Sequence, residues 1–209
     1  MTNTVYTIGH SNQSLESLLS ALRTHGITAV ADVRSYPYSN ANPQFDREAL
    51  AEALEAAQIV YVYLGKELGA RTDDPSCYVD GKVQYDRLAQ TKSFKEGLAR
   101  VRRGMGKYKL ALMCAEGEPL ACHRTILVSR YLQESGLAVK HILRDASVEN
   151  HEASMARLAR LLDLDSNHFF RDKSEVISEA YRIQGEKIAY KPTPANDRDQ
   201  EPRSLAKGR

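Results

Sequence analysis

Ile27-Thr-Ala-Val-Ala-Asp-Val33 decides the fold class, because this stretch stays apolar on both sides of the chain until Asp32. A strand that is apolar on both faces is typical of a parallel sheet with helices on each side. Leu110-Ala-Leu-Met113, which ends on Cys114, is predicted as another strand of the same sheet. The centre of the protein is therefore predicted to be a covered β-sheet.

Further strands and helices alternate around these two stretches. Leu15, Leu18, Leu19 and Leu22 recur at the spacing of an amphipathic helix that ends near Gly26. Strands alternating with helices at such intervals predict βαβ units. We therefore predict an α/β fold with a mostly parallel sheet of about five strands, helices on both faces and a C-terminal helical appendix. The remaining predicted strands are Val5–Ile8, Ile59–Leu64 and Val139–Leu143.

The pattern changes after Asp145, where only helical spacing remains. Residues 1–145 are predicted as an α/β core that carries the site, and 146–190 as a helical extension packed on it. From Lys191 onward the chain has prolines and mixed charges without an apolar pattern, so 191–209 is predicted as a disordered tail.

Composition excludes several classes of protein. The chain has 209 residues, 42% of them hydrophobic and 27% charged, which excludes wholesale disorder. No apolar run is long enough for a membrane span, and the first ten residues do not resemble a signal peptide. Three cysteines do not form a disulfide framework, so we expect reduced thiols and a cytoplasmic protein. The net charge of +2 is nearly balanced, which does not favour nucleic acid as a partner.

Chemically active side chains directly follow several of the predicted strands. His10 follows the first strand, Arg34 the second and Cys114 the fourth. Ligands of open α/β sheets bind beyond the carboxyl ends of the strands, so we expect a functional site at this edge. The candidate catalytic residues are His10, Cys114, Cys122 and His123, and the candidate substrate-binding residues are Ser11, Asp32, Arg34, Glu116 and Arg124.

Two thiols, an imidazole and a guanidinium lie within the segment from Cys114 to Arg124. Cys122 is predicted at the start of a helix, where the partial positive charge of the helix end favours a thiolate. His123 could activate a neighbouring thiol as a base. A buried structural role remains the alternative for Cys114. No cofactor is required by this pattern, but a metal ion held by His10, Cys114, Cys122 and His123 is a second possibility.

Several sequence blocks in register resemble the domain of unknown function 488 family. The resemblance spans residues 4–145, and 184–190 is similar to the end of the longer members. One departure is that Leu64-Gly65 is followed by Lys66, where the family has a second glycine. The resemblance implies a cytosolic α/β protein of prokaryotic type with no assigned reaction. The blocks are Tyr6–Ser11, Asp32–Pro37, Tyr63–Gly69, Met113–Glu116 and Cys122–Arg124, and the motif residues within them are His10, Asp32, Arg34, Cys114, Glu116, Cys122, His123 and Arg124.

The residues support two classes of function. The first is an enzyme, a cysteine-dependent transferase or hydrolase, that acts on a small anionic or nucleotide-like substrate. Its thiolate is Cys114 or Cys122, and the irregular segment 66–91, with Tyr78 and Tyr85, is predicted to close over the substrate. The second is a metal-binding or nucleic-acid-binding regulatory module without catalysis. The substrate, the oligomeric state and the more reactive thiol are not predicted by the sequence.

Overall fold

The computed structural model describes residues 3–164 and 172–192. Within these residues, the strands are β1 (Thr4–Gly9), β2 (Ala29–Asp32), β3 (Val60–Tyr63), β4 (Tyr78–Val79), β5 (Lys82–Val83), β6 (Leu110–Cys114), β7 (Ala138–Ile142) and β8 (Val148–Asn150). Six of them form one sheet in the order β3-β2-β6-β1-β7-β8. The first five are parallel, and β8 pairs antiparallel with β7. The predicted α/β class and mostly parallel sheet are confirmed, with one strand more than expected.

Helices cover both faces of this sheet, as the apolar strands predict. Helices α1 (Leu15–Thr24) and α2 (Arg47–Ala56) pack on one face. The remaining helices pack on the other face. They are α3 (Gly65–Leu68), α4 (Tyr85–Gln90), α5 (Lys92–Met105), α6 (Arg130–Glu134), α7 (His151–Leu161) and α8 (Lys173–Ile188).

The central strand β6 is buried along its whole length. Alternate side chains of a strand point to opposite faces, so Leu110, Leu112 and Cys114 pack with the larger set of helices, whereas Ala111 and Met113 pack towards α1 and α2. Cys114 closes the strand at the carboxyl edge of the sheet. The fold thus brings this thiol to the edge where ligands of such sheets bind.

Two regions differ from the predicted elements. The stretch after Asp145 is not helical throughout, because Val148–Asn150 pairs with β7 as an edge strand. This strand has three residues, too few to show a period of two. The irregular segment 66–91 contains α3, α4 and a small hairpin of β4 (Tyr78–Val79) and β5 (Lys82–Val83). Apart from Lys191 and Pro192, the predicted disordered tail lies outside the described residues.

Helix α8 packs against α7 and against a π-helical segment, Arg124–Ser129, that leads into α6. Its residues Ala180 and Tyr181 belong to the core on that face of the sheet. The chain leaves α8 beside the carboxyl edge, where the Tyr190 carbonyl accepts the backbone N–H of Val83. No helix in residues 3–164 and 172–192 combines the length and the apolar character that a membrane crossing needs.

Candidate functional site

Four side chains converge where β6 ends. Cys114, Glu116, Cys122 and His123, here named the Cys/His/Glu cluster, place one sulfur, oxygen or nitrogen atom each within 4.8 Å of the others. Cys114 belongs to the end of β6, Glu116 lies two residues beyond it, and the other two precede the π-helical segment. The loop between them folds back on itself, which unites residues that are nine positions apart.

The distances within the Cys/His/Glu cluster are short. Glu116 Oε2 lies 3.0 Å from Cys114 Sγ and 2.9 Å from Cys122 Sγ. His123 Nδ1 lies 3.6 Å from Cys114 Sγ and 3.9 Å from Cys122 Sγ. Both thiols and His123 are buried, whereas Glu116 is the exposed member. The four groups thus form one contact set with an accessible side at Glu116.

The orientation of His123 follows from its second ring nitrogen. His123 Nε2 lies 3.1 Å from the carbonyl oxygen of Val33. A carbonyl can only accept a hydrogen bond, so Nε2 carries the proton. In the neutral ring, Nδ1 therefore presents its lone pair to the two sulfurs.

Burial and neighbouring charges separate the acidities of the two thiols. Burial raises the pKa of Cys114 well above its ordinary value, and the neighbouring Cys122 and Glu116 charges add to this effect. Burial also opposes ionisation of Cys122. This effect is outweighed by the hydrogen bond from Cys114, the charge of Arg124 and the contact with His123, so the pKa of Cys122 lies well below its ordinary value. The backbone N–H of Arg124 also donates to Cys122 Sγ over 3.4 Å. Cys122 is therefore the more acidic thiol.

The other two members of the cluster are shifted as well. Although part of Glu116 is exposed, its Oε2 faces the two buried thiols, so desolvation of the carboxyl and then the Cys122 charge raise its pKa. Burial lowers the pKa of His123, but its hydrogen bond to Cys122 and the nearby negative charges raise it above its ordinary value. These shifts show that the four groups respond to one another electrostatically.

Arg124 holds the loop of the Cys/His/Glu cluster in place. Its side chain is completely buried and donates to the carbonyl oxygens of Glu116 and Gly117 and to the Thr7 hydroxyl. The Ser11 backbone N–H also binds this loop, donating to the Ala115 carbonyl over 2.7 Å. These contacts use the guanidinium inside the protein and leave Arg124 out of the cavity described below.

A second group of predicted site residues forms a separate ion pair. Arg34 Nε and Nη2 donate to the two carboxylate oxygens of Asp32, over 2.9 Å and 2.6 Å. Arg34 Nη1 donates to the Phe45 carbonyl over 2.9 Å and to His10 Nε2 over 3.2 Å. His10 stacks on Phe45, and burial lowers its pKa to about 4. Arg34 is thus largely committed to partners within the protein.

Strand alternation explains why His10 lies outside the Cys/His/Glu cluster. Gly9 is the residue of β1 that pairs with Cys114. His10 comes one position later, so its side chain points to the opposite face, where it meets Phe45. The structure therefore brings Cys114, Cys122, His123 and Glu116 together, and places His10 with Asp32 and Arg34. Ser11 lines a different hollow, beside Gly117 and Arg144.

A cavity of about 540 Å³ opens beside the Cys/His/Glu cluster. Cys114, Glu116 and His123 form part of its wall. Two polar atoms of this wall, the Tyr85 hydroxyl and Arg71 Nη1, are buried and have no hydrogen-bond partner in the described part of the chain. Unpaired buried donors are costly, and the residues that carry these two atoms both line the cavity. The aromatic and basic lining comprises Arg34, Tyr36, Tyr38, Arg71, Tyr85, Tyr190 and Lys191.

Part of the cavity wall comes from residues that no sequence pattern predicts, among them Arg71, Tyr190 and Lys191. Arg71 lies with its guanidinium carbon 4.4 Å from the centre of the Tyr190 ring. Tyr190 and Lys191 follow the end of α8, over 70 residues after Cys114. Sequence spacing gives no signal for such a distant pair. Tyr85 of the predicted covering segment does line the cavity, whereas Tyr78 donates to the Thr72 carbonyl over 2.8 Å.

Comparison with known proteins places this site within one family. The family model described as domain of unknown function DUF488 matches residues 14–132. The match includes the whole Cys/His/Glu cluster, together with Asp32, Arg34, Arg71 and Tyr85. No curated protein and no solved structure matches the chain.

Proposed function

The chain belongs to the DUF488 family, whose description names no reaction, and we propose that it is an enzyme that acts on a small anionic substrate. The substrate would lie in the cavity beside Cys114, Glu116 and His123. The observation that carries this proposal is the pair of buried, unpaired donors, Arg71 Nη1 and the Tyr85 hydroxyl, on the cavity wall. Both would donate to an anion such as a phosphate or carboxylate group.

We propose that the anion is bound by Arg71 rather than by Arg34 and Arg124, the arginines predicted from the sequence. Arg34 is neutralised by Asp32, and Arg124 donates to carbonyl groups of the loop. Arg71 lines the cavity, and its Nη1 has no hydrogen-bond partner among the described residues, which supports its assignment as the anion contact. Its contact with Tyr190 holds the guanidinium at the cavity wall.

The reacting groups of the proposed enzyme are supplied by the Cys/His/Glu cluster. Glu116 is the exposed carboxylate of this cluster and lines the cavity. It is therefore the member best placed to exchange protons with a bound substrate. All three cysteines are free thiols, which suits a reducing compartment, so we propose that the enzyme acts in the cytoplasm.

Anion binding is tested with inorganic phosphate and adenosine monophosphate as probes. We expect either probe to raise the melting temperature of the wild-type protein. Arg71→Met removes one charged donor and should weaken binding about tenfold or more, since a hydrogen bond to a charged group contributes roughly 1.5–3 kcal/mol. Arg23→Met is the matched control, because Arg23 is exposed on α1 and should leave binding unchanged. Failure of both anions to bind, or equal losses in the two variants, would overturn the proposal.

Catalysis is tested separately with the bound nucleotide. Product analysis of adenosine monophosphate incubated with wild-type protein should show turnover, and Glu116→Gln should abolish it. The variant should retain binding, because Arg71 and Tyr85 remain in place. A wild-type protein that binds the anion without converting it, or a Glu116→Gln variant with full turnover, contradicts the enzymatic part of the proposal.

A further inference from the structure

We propose that the Cys/His/Glu cluster is a zinc site, with Cys114, Cys122 and His123 as permanent ligands and Glu116 as an exchangeable fourth. Two thiolates, an imidazole and a carboxylate are the donor types that zinc binds in proteins. Their four candidate atoms lie within 4.8 Å of one another, so a single ion can contact all of them. The inference rests on the proposed function for its catalytic meaning, but its test measures metal and not anion binding.

The distances between His123 and the two sulfurs agree with a tetrahedral site. Zinc bonds of about 2.3 Å to sulfur and about 2.0 Å to nitrogen place sulfur and nitrogen roughly 3.6 Å apart in a tetrahedron. His123 Nδ1 lies 3.6 Å from Cys114 Sγ and 3.9 Å from Cys122 Sγ. Glu116 Oε2 is closer to both sulfurs, at 3.0 Å and 2.9 Å. The carboxylate would therefore move outward, towards the cavity, when the ion enters.

The surroundings of His123 resemble the support that metal-binding histidines receive. Such residues usually donate their other ring N–H to a carbonyl or carboxylate, which fixes the ring and its protonation. His123 Nε2 does so to the Val33 carbonyl over 3.1 Å. Val33 itself lies in the turn that Arg34 and Asp32 lock through their side-chain ion pair. The ring is thus held with its lone pair towards both sulfurs.

The four residues differ in exposure to solvent, and we use this difference to assign three of them as permanent ligands and Glu116 as the exchangeable one. Cys114, Cys122 and His123 are buried, at 3%, 1% and 7% exposure. Glu116 is exposed and lines the cavity with Cys114 and His123. Catalytic zinc sites typically have three protein ligands and a fourth position open to water or substrate. Glu116 occupies the position that a substrate anion entering from the cavity would take.

Metal analysis of the protein purified under reducing conditions tests the site. We expect one zinc ion per chain, removable by a chelator and restored by added zinc. Substitution of cobalt should give a near-ultraviolet thiolate-to-cobalt band and visible bands of a tetrahedral ion. Cys114→Ser and Cys122→Ser should each lose the metal or lower that band. Cys77→Ser is the matched control, since Cys77 is a buried free thiol outside the cluster and should retain both signals.

Glu116→Ala separates this inference from the proposed function and guards against variants that fail to fold. It should keep zinc with a cobalt spectrum shifted by the exchanged fourth ligand, and Arg71→Met should keep zinc with an unchanged spectrum. Wild-type protein that takes up neither ion, or whose thiol titration shows a Cys114–Cys122 disulfide instead, overturns the zinc site. Wild-type protein that holds zinc but binds neither phosphate nor adenosine monophosphate overturns only the proposed function.

Discussion

Replacing Gly9 by alanine should destroy the Cys/His/Glu cluster without touching any of its side chains. Gly9 ends β1 and pairs with Cys114 at the end of β6. A Cβ atom at this position would lie 1.8 Å from the Glu116 carbonyl oxygen and 3.0 Å from the Gly117 Cα. Ordinary contact begins at 3.4 Å, so the two backbones must separate by about 1.6 Å.

The loop has little freedom to make that movement. Arg124 binds the Glu116 and Gly117 carbonyl groups, and the Ser11 N–H binds the Ala115 carbonyl over 2.7 Å. The loop that must move joins Cys114 to Cys122. Ligand positions in metal sites are fixed to within about 0.2 Å, so a shift of this size separates the two thiols as well as displacing Glu116. We expect Gly9→Ala to lose the zinc ion and, as overpacking does, about 1–3 kcal/mol of the free energy of unfolding.

Metal content, the cobalt spectrum and urea unfolding measure the effect of Gly9→Ala. Gly104→Ala in α5 is the matched control, because its added Cβ meets the flexible Leu110 side chain at 3.3 Å. Gly104→Ala should retain the metal. Alanine is also favoured over glycine by up to about 1 kcal/mol at a helical position, because its helix propensity is higher. A Gly9→Ala protein with a full complement of zinc and an unchanged cobalt spectrum refutes the reasoning from backbone contact.

Two further predictions concern stability. Burial lowers the pKa of His151 to about 4 in the folded protein, from an ordinary value of 6.5. Between these two values, the unfolded chain binds a proton on this residue and the folded protein does not. This group should therefore lower the free energy of unfolding by about 3 kcal/mol between pH 7 and pH 4. In urea unfolding, His151→Gln should reduce the dependence of that free energy on pH. An equal pH dependence in the wild type and the variant would contradict the assignment. Phe94→Ala, at a fully buried position in α5, should cost about 3–5 kcal/mol in urea unfolding, whereas Leu161→Ala at 69% exposure should change it by under about 0.5 kcal/mol. Similar losses in the last two variants would show that burial does not govern their stability.

The parallel sheet could be predicted because its signal is local. Residues 27–33 and 110–114 are apolar on both faces, and the structure buries β2 and β6 completely. The edge strand β8 has no such signal, since its three residues are Val, Glu and Asn. It forms because a turn at residues 143–147 returns the chain to β7, where the Leu143 N–H binds the Ser147 carbonyl. Local patterns thus predict the buried strands and not the strand made by a turn.

The candidate site could be predicted in part for the same reason. Cys114, Cys122 and His123 are close in sequence, and the predicted strand end places them at one edge. Whether His10 joins them depends on the face of the sheet to which its side chain points. The structure shows that this is the face of Phe45, on which His10 stacks. Arg71 and Tyr190 meet only in three dimensions, so spacing could not select them.

The ion pair of Asp32 and Arg34 and the contacts of Arg124 together hold the Cys/His/Glu cluster in place. Arg34 donates from its backbone and its side chain to Asp32, which fixes the turn that presents the Val33 carbonyl to His123. Arg124 fixes the loop that presents Glu116 to the sulfurs. Each guanidinium group fixes a backbone segment through two or more hydrogen bonds. A change to lysine keeps the positive charge but cannot make these forked contacts. Their contacts thus position the members of the cluster, and in the proposed function the anion is bound by Arg71 of the cavity wall.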